Sequence, residues 1–141
     1  MQHRTHLRQC LAASALVLTT SIANAACDQL DGGVKVSEAT CRVIQEVTAT
    51  WEAFRSSLSS SDCQDSLKHL NFDTRAKYEP QLCKEGTFAR ALLANCREFG
   101  VKEIYTKTVS AVALCTTQAG KVLAPLEFGR RTDGTWAITS M

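Results

Sequence analysis

Between residues 40 and 58 the chain sets Val43, Ile44, Val47, Trp51, Phe54 and Leu58 at steps of three and four. At about 100° per residue these side chains share one stripe about 100° wide, the mark of an amphipathic helix lying on an apolar surface. Gln45, Glu46, Thr48, Glu52, Ser56 and Ser59 fall on the opposite, water-facing side. Ser37 stands where its hydroxyl can accept from the free amides of a first turn, and Glu38 suits the positive end of the helix. The cover for the stripe is expected from the last third of the chain.

There the apolar period drops from about 3.6 residues to about 2 after residue 100, with β-formers at 110–115, clean alternation at 122–128 and a closing segment at 136–140. A four-residue loop at 117–120 sets Val122 opposite Cys115 and Phe128 opposite Val109, so that Val109, Ala111, Ala113 and Cys115 share a face. For the last hairpin a two-residue Asp133-Gly134 turn throws Trp136 and Ile138 to the wrong side. A three-residue loop, Thr132-Asp133-Gly134 with a left-handed Gly134, instead pairs Phe128 with Ile138 and Arg130 with Trp136. Pro125 cannot donate to a ladder, so a bulge or free edge is expected beside it.

Shorter helices fill the middle. Asp62 caps a helix at 63–70, residues 71–74 form a turn with a further cap, and a piece at 75–79 stops at Pro80. Residues 87–99 set Phe88, Leu92, Leu93 and Cys96 on one side, with Gly100 expected as a left-handed stop. The fold class expected is therefore α+β: a long N-terminal helix and short helices packed on a curved antiparallel sheet.

Residues 1–25 read as a signal peptide: Arg4 and Arg8 in front, an apolar run of about a dozen residues, then Ala23-Asn24-Ala25 as the cleavage motif. The run is shorter than the roughly 20 residues a bilayer needs, so no stable membrane insertion is expected. Lipidation of Cys27 is the weaker reading, because Asn24 sits where an aliphatic residue is wanted. Residues 26–36 are an extension and 37–141 a single domain. Losing Arg4 and Arg8 takes the 16 basic residues to 14, against 14 acidic ones, so the mature chain is formally neutral. With no basic stripe beyond Arg130-Arg131, no nucleic-acid partner is expected. The chain is read as periplasmic or secreted.

Cys10 leaves with the signal; Cys27, Cys41, Cys63, Cys83, Cys96 and Cys115 remain. An even set in an exported chain reads as disulfides, each worth about 2–4 kcal/mol, and the sequence does not choose their pairing. Metal binding and redox catalysis are disfavoured: there is no Cys-x-x-Cys, and His69 is the only mature histidine. Gly32-Gly33 lacks the following Lys-Ser/Thr of a phosphate loop. No cofactor is expected.

The order of elements, from the long helix ATWEAFRSSL through the tyrosine-bearing TRAKYEPQL to the closing LEFGRRTDGTWAITSM, resembles the nuclear transport factor 2-like superfamily, and within it exported bacterial domains. The six cysteines depart from that pattern. The resemblance implies a cone in which a bent sheet wraps the long helix and leaves a pocket at its open end. Some members are dehydratases or isomerases, many bind ligands or partners without chemistry, and several pair through the sheet, so a homodimer is one expectation. No residue here matches a catalytic constellation of the superfamily, and none is carried over.

Candidate binding residues are Trp51, Arg55, Tyr78 and Tyr105, with no catalytic residue and no metal ligand named. Trp51 and Phe54 lie mid-stripe and are first of all core. Arg55, at the stripe's edge, can cover the Trp51 ring or hold an acid at a pocket mouth. Tyr78 reads as a helix wall residue, His69 as a surface residue and Asp73 as a helix cap. The reading that follows is a non-enzymatic binding module for a protein partner or small apolar ligand. Its alternatives are an inhibitor or immunity-type protein against a toxin or hydrolase, and a small lyase or isomerase with a buried ionisable group.

Overall fold

A computed structural model describes residues 36–60 and 62–141. The readings that fall on residues 1–35, including the signal peptide, its cleavage site and Cys27, lie outside the described residues. The elements run α1 (Glu38–Leu58), α2 (Cys63–Leu67), α3 (Phe72–Pro80), a π-helical turn (Gln81–Glu85), α4 (Thr87–Asn95), β1 (Glu98–Tyr105), β2 (Ser110–Thr116), β3 (Val122–Arg130) and β4 (Trp136–Ser140). The strands form one antiparallel sheet in the order β1-β2-β3-β4, giving the expected α+β architecture.

Helix α1 is built as its sequence dictates. The Ser37 side chain accepts from the Thr40 amide, and Ile44, Val47, Trp51 and Phe54 are buried on one face, with Val43 and Leu58 packed beside them. That face meets the inner side of the sheet. Trp51 stacks on Phe99 of β1 at 5.2 Å, and Phe99 meets Phe128 of β3 edge-on at 5.9 Å. The disulfides Cys63–Cys83 and Cys96–Cys115, with Cα atoms 5.2 and 5.3 Å apart, tie α2 to the π-helical turn and the end of α4 to β2.

The final hairpin pairs as expected: Phe128 with Ile138, Arg130 with Trp136, and Gly134 left-handed at φ +86°. Asp133 fixes the turn by accepting from the amide and hydroxyl of Thr135. The Thr135 hydroxyl, and then its amide, hold the Asp133 carboxyl below the usual range.

The β2–β3 register differs from expectation. Thr116 pairs with Val122 and Ala111 with Phe128. Two causes act together. The loop closes more tightly, with Thr117 and Lys121 hydrogen bonded across it, and β3 spends two residues, Leu123 and Ala124, against Cys115 alone. This bulge adjoins Pro125, where the missing donor predicted one. Ala111, Ala113, Cys115, Leu126 and Phe128 are still buried on one face, while Val122 and Val109 are exposed.

Several helix ends also differ: α2 stops at Leu67 and not at 70, and α3 begins at Phe72, inside the expected 71–74 turn. Residues 98–105 are strand, not the tail of the 87–99 helix, and Gly100 is extended within it. Phe88, Leu92, Cys96 and Phe99 keep helical spacing, but the Cys96 amide closes α4 on the Leu92 carbonyl and the Arg97 amide donates to Thr116. The pairing of Phe99 with Cys115 outweighs the local pattern. Pro80 does not stop its helix, because the chain widens there into the π-helical turn and ends at the left-handed Gly86, φ +63°. Turned so that its nitrogen faces the backbone, the Gln81 side-chain amide donates to the Lys77 carbonyl at 2.7 Å and to that of Tyr78, which also accepts from the Gln81 backbone amide. The cap of α3 is Asn71, accepting from the Thr74 amide, and Asp73 sits in the first turn.

The outer edge of β4 is covered. Ile138 donates to the His69 carbonyl at 2.9 Å and accepts from the Asn71 amide at 3.0 Å. The Thr74 hydroxyl donates to the Thr139 carbonyl and the Tyr78 hydroxyl to that of Met141.

Candidate functional site

Trp51, the first candidate residue, is 1% exposed. Its ring lies between Phe54 and Phe99, and its indole nitrogen has no hydrogen-bond partner. Arg55, half-buried, lies in the last turn of α1, where the helix end favours a cation. Tyr78 is buried, stacked on Phe88 at 5.3 Å with the Lys77 amine 4.9 Å from its ring centre. Tyr105 is exposed at the end of β1, and its hydroxyl donates to Glu103, which raises its pKa above the usual value. Trp51 and Tyr78 belong to the same core cluster, whereas Tyr105 lies outside it.

Two openings on the described surface bear on function. The larger is an open groove of about 590 Å³ along the first turns of α1, lined by Glu38, Ala39, Arg42, Val43, Glu46 and Arg130. The smaller is a cleft of about 100 Å³ between the end of α1, α2 and the π-helical turn, lined by Ser57, Leu58, Ser60, Cys63, Ser66, Leu82, Cys83 and Ala89. At about 30 Å³ per water the cleft holds only a few small molecules. None of Trp51, Arg55, Tyr78 and Tyr105 lines either opening.

The groove is organised around Glu46. The Trp136 indole donates to its carboxylate at 2.9 Å, and an Arg130 nitrogen stands 3.8 Å from the same oxygen. Arg130 is aimed there because its Nε donates to the Gly134 carbonyl across the hairpin turn. One turn further on, Arg42 faces Glu38 at 3.8 Å. The wall therefore alternates acid and base over a short apolar floor of Ala39 and Val43. Glu46 reads in the sequence as part of the water-facing side of α1. The pairing of Arg130 with Trp136 is legible from the hairpin register, but their meeting with Glu46, 90 positions before Trp136, is a product of the tertiary fold.

Replacing Glu46 with alanine leaves the indole of Trp136, only 5% exposed, without its acceptor. The expected cost is about 1–3 kcal/mol, read as a lower urea midpoint at unchanged slope, and Glu46→Gln, which keeps an acceptor, restores most of it. The Arg130 ion pair is too exposed to contribute much of this.

His69 is half-buried beside Phe54, ring centres 6.4 Å apart. Arg131 crosses the same turn, donating to the carbonyls of Lys68 and Leu70 at 2.6 and 3.0 Å. Burial first, and then the Arg131 charge, lower the His69 pKa from its ordinary 6.5. Above 6.5 the histidine is neutral in both folded and unfolded chains and exerts no effect. As pH falls from there towards the folded pKa, the unfolded chain takes the proton first and stability drops. The expected result is that His69→Gln flattens the stability curve in that acidic window and leaves it unchanged at pH 8, measured by urea unfolding at a series of pH values.

Among the described residues, the buried polar side chains other than Tyr78 are Ser57, Ser66 and Thr74. No group of three or more His, Cys, Asp or Glu among them could hold a metal ion, and no described helix is long and apolar enough to cross a membrane. No family model, curated protein or solved structure matches this chain.

Proposed function

We propose that this chain is an exported, non-enzymatic binding module that docks a protein partner along the groove between the start of α1 and the β3–β4 hairpin, on a cone of the nuclear transport factor 2-like kind. The observation that carries the reading is the contrast between interior and surface. Trp51, Phe54 and Phe128 are each no more than 1% exposed and fill the space under the sheet. The larger opening instead carries two opposite-charge pairs, Glu38 with Arg42 and Glu46 with Arg130. Small apolar ligands favour enclosed, mostly apolar cavities; an open groove with a small apolar floor and a polar rim suits a protein surface. Export is supported by the disulfides Cys63–Cys83 and Cys96–Cys115 among the described residues, since such bonds persist in oxidising compartments.

The test is site-specific photo-crosslinking in the producing cell, with the probe at Arg42 and a control probe at the exposed Lys121 of the β2–β3 turn. A discrete heavier species from position 42 alone, abolished by Arg130→Glu, is expected. Equal adducts at both positions, or a small molecule retained in native mass spectrometry of the uncrosslinked protein, overturns the reading. The intact mass from the same preparation checks export: loss of residues 1–25 is expected, and acyl chains on Cys27 contradict the cut after Ala25.

A further inference from the structure

We infer that Cys63–Cys83 is a thiol–disulfide exchange site that latches the cleft beside the π-helical turn, whereas Cys96–Cys115 is a permanent staple. The two bridges span nearly equal lengths of chain, 20 and 19 residues. Their surroundings differ. Cys96 and Cys115 are 2% and 1% exposed, sealed between the end of α4 and the inner face of β2. Cys83 is exposed and Cys63 half-buried. Exchange needs an incoming thiolate to reach a sulfur atom, so access separates the two bridges.

The segment that Cys63–Cys83 holds packs on the neighbouring helices but buries little side-chain surface among the described residues. The turn Gln81–Glu85 has no side-chain cap, the left-handed Gly86 ends it, and α4 begins there without a cap of its own. Leu82 is its one buried anchor among the described side chains. Opposite lies α2, five residues long. Between them lies the cleft, with Leu58, Leu82 and Ala89 as its apolar wall and Ser57 and Ser66, hydroxyls 2.9 Å apart, at its inner side. Few buried contacts and a single wide turn place this segment among those that open locally before the sheet does. Breaking the bridge lets residues 81–86 move away from α2 and uncovers that wall.

The step balances with a dithiol reductant. One of its thiolates attacks the Cys83 sulfur and the Cys63–Cys83 bond breaks. Cys63 leaves as a thiolate and takes up a proton, and the second thiol of the reductant resolves the mixed disulfide. Two electrons pass to the chain, which holds two thiols, and the reductant departs as a disulfide.

The experiment treats the folded protein with dithiothreitol without denaturant, quenches samples with an alkylating reagent and maps the labelled peptides by mass. Labelling of Cys63 and Cys83 is expected at least about tenfold faster than labelling of Cys96 and Cys115. Trypsin should then cut after the exposed Lys84 while the β2 and β3 peptides stay protected. The double variant Cys63→Ala/Cys83→Ala should keep its near-ultraviolet circular dichroism and be cut after Lys84 without reductant. Equal labelling of all four cysteines, or prior labelling of Cys96 and Cys115, overturns the exchange site. A double variant that fails to fold, or one that stays uncut at Lys84, overturns the latch.

Discussion

Trp51→Ala should lower the unfolding free energy by about 3–5 kcal/mol, the range for removing a large aromatic side chain from a core. The indole is 1% exposed and touches both layers of the fold. It stacks on Phe99 of β1 and lies 5.9 Å from Phe54 of its own helix. Alanine leaves a void that neither layer can fill, because α1 is held against the sheet by Val47 and Phe54, each fully buried. Urea unfolding should show a markedly lower midpoint with little change in slope. Trp51→Phe is the informative companion. It forfeits area, but it also removes an indole nitrogen buried without a partner, a group whose burial costs about 1–3 kcal/mol. A Phe variant as unstable as the Ala variant would show that stability depends on the indole's own contacts and not on filling the space with an aromatic ring.

Removing Cys96–Cys115 as the pair Cys96→Ala/Cys115→Ala should cost about 3 kcal/mol on the chain-entropy view for a loop of this size. Both sulfurs are buried, so the substitution also leaves small voids where α4 meets β2. Cys63–Cys83 closes a loop of similar length, so chain entropy alone predicts the same loss for Cys63→Ala/Cys83→Ala. Cys63–Cys83, with Cys83 exposed and Leu82 the one buried side chain described in its turn, is expected to give less. Chemical denaturation of the two double variants side by side checks the order: equal midpoints would mean that both bridges act only on the unfolded chain.

The parts of this fold that the sequence showed are those where one local rule and the burial pattern agree. The α1 stripe and its Ser37 cap are such a case. So is the last hairpin, where only a three-residue loop keeps Phe128, Trp136 and Ile138 on one side. Failures came where a local pattern had two solutions. Phe99 sits at helical distance from Cys96, yet pairing with Cys115 and stacking on Trp51 draw it into a strand. Pro80 marks a helix end in most contexts, and here the chain passes it by widening into the π-helical turn. The β2–β3 register slipped by one residue at the tighter loop and by a second at the bulge beside Pro125, whose presence can be anticipated but not the number of residues it absorbs. The charged groove was illegible for a different reason. Glu46 looks like any wet residue on a helix until the hairpin brings Trp136 and Arg130 to it.

Strand β1 ends the sheet on the side opposite β4, and among the described residues no strand lies beyond it. An open row of amides and carbonyls invites another chain to add on and begin an aggregate. Here Lys102 interrupts the ladder as an extra residue between Val101 and Glu103, and Glu98, Lys102 and Glu103 are all exposed. An incoming strand would lose register at the bulge and would have to strip water from charges along its length. Along the described edge of the sheet, the bulge and the charges thus stand against edge-to-edge growth.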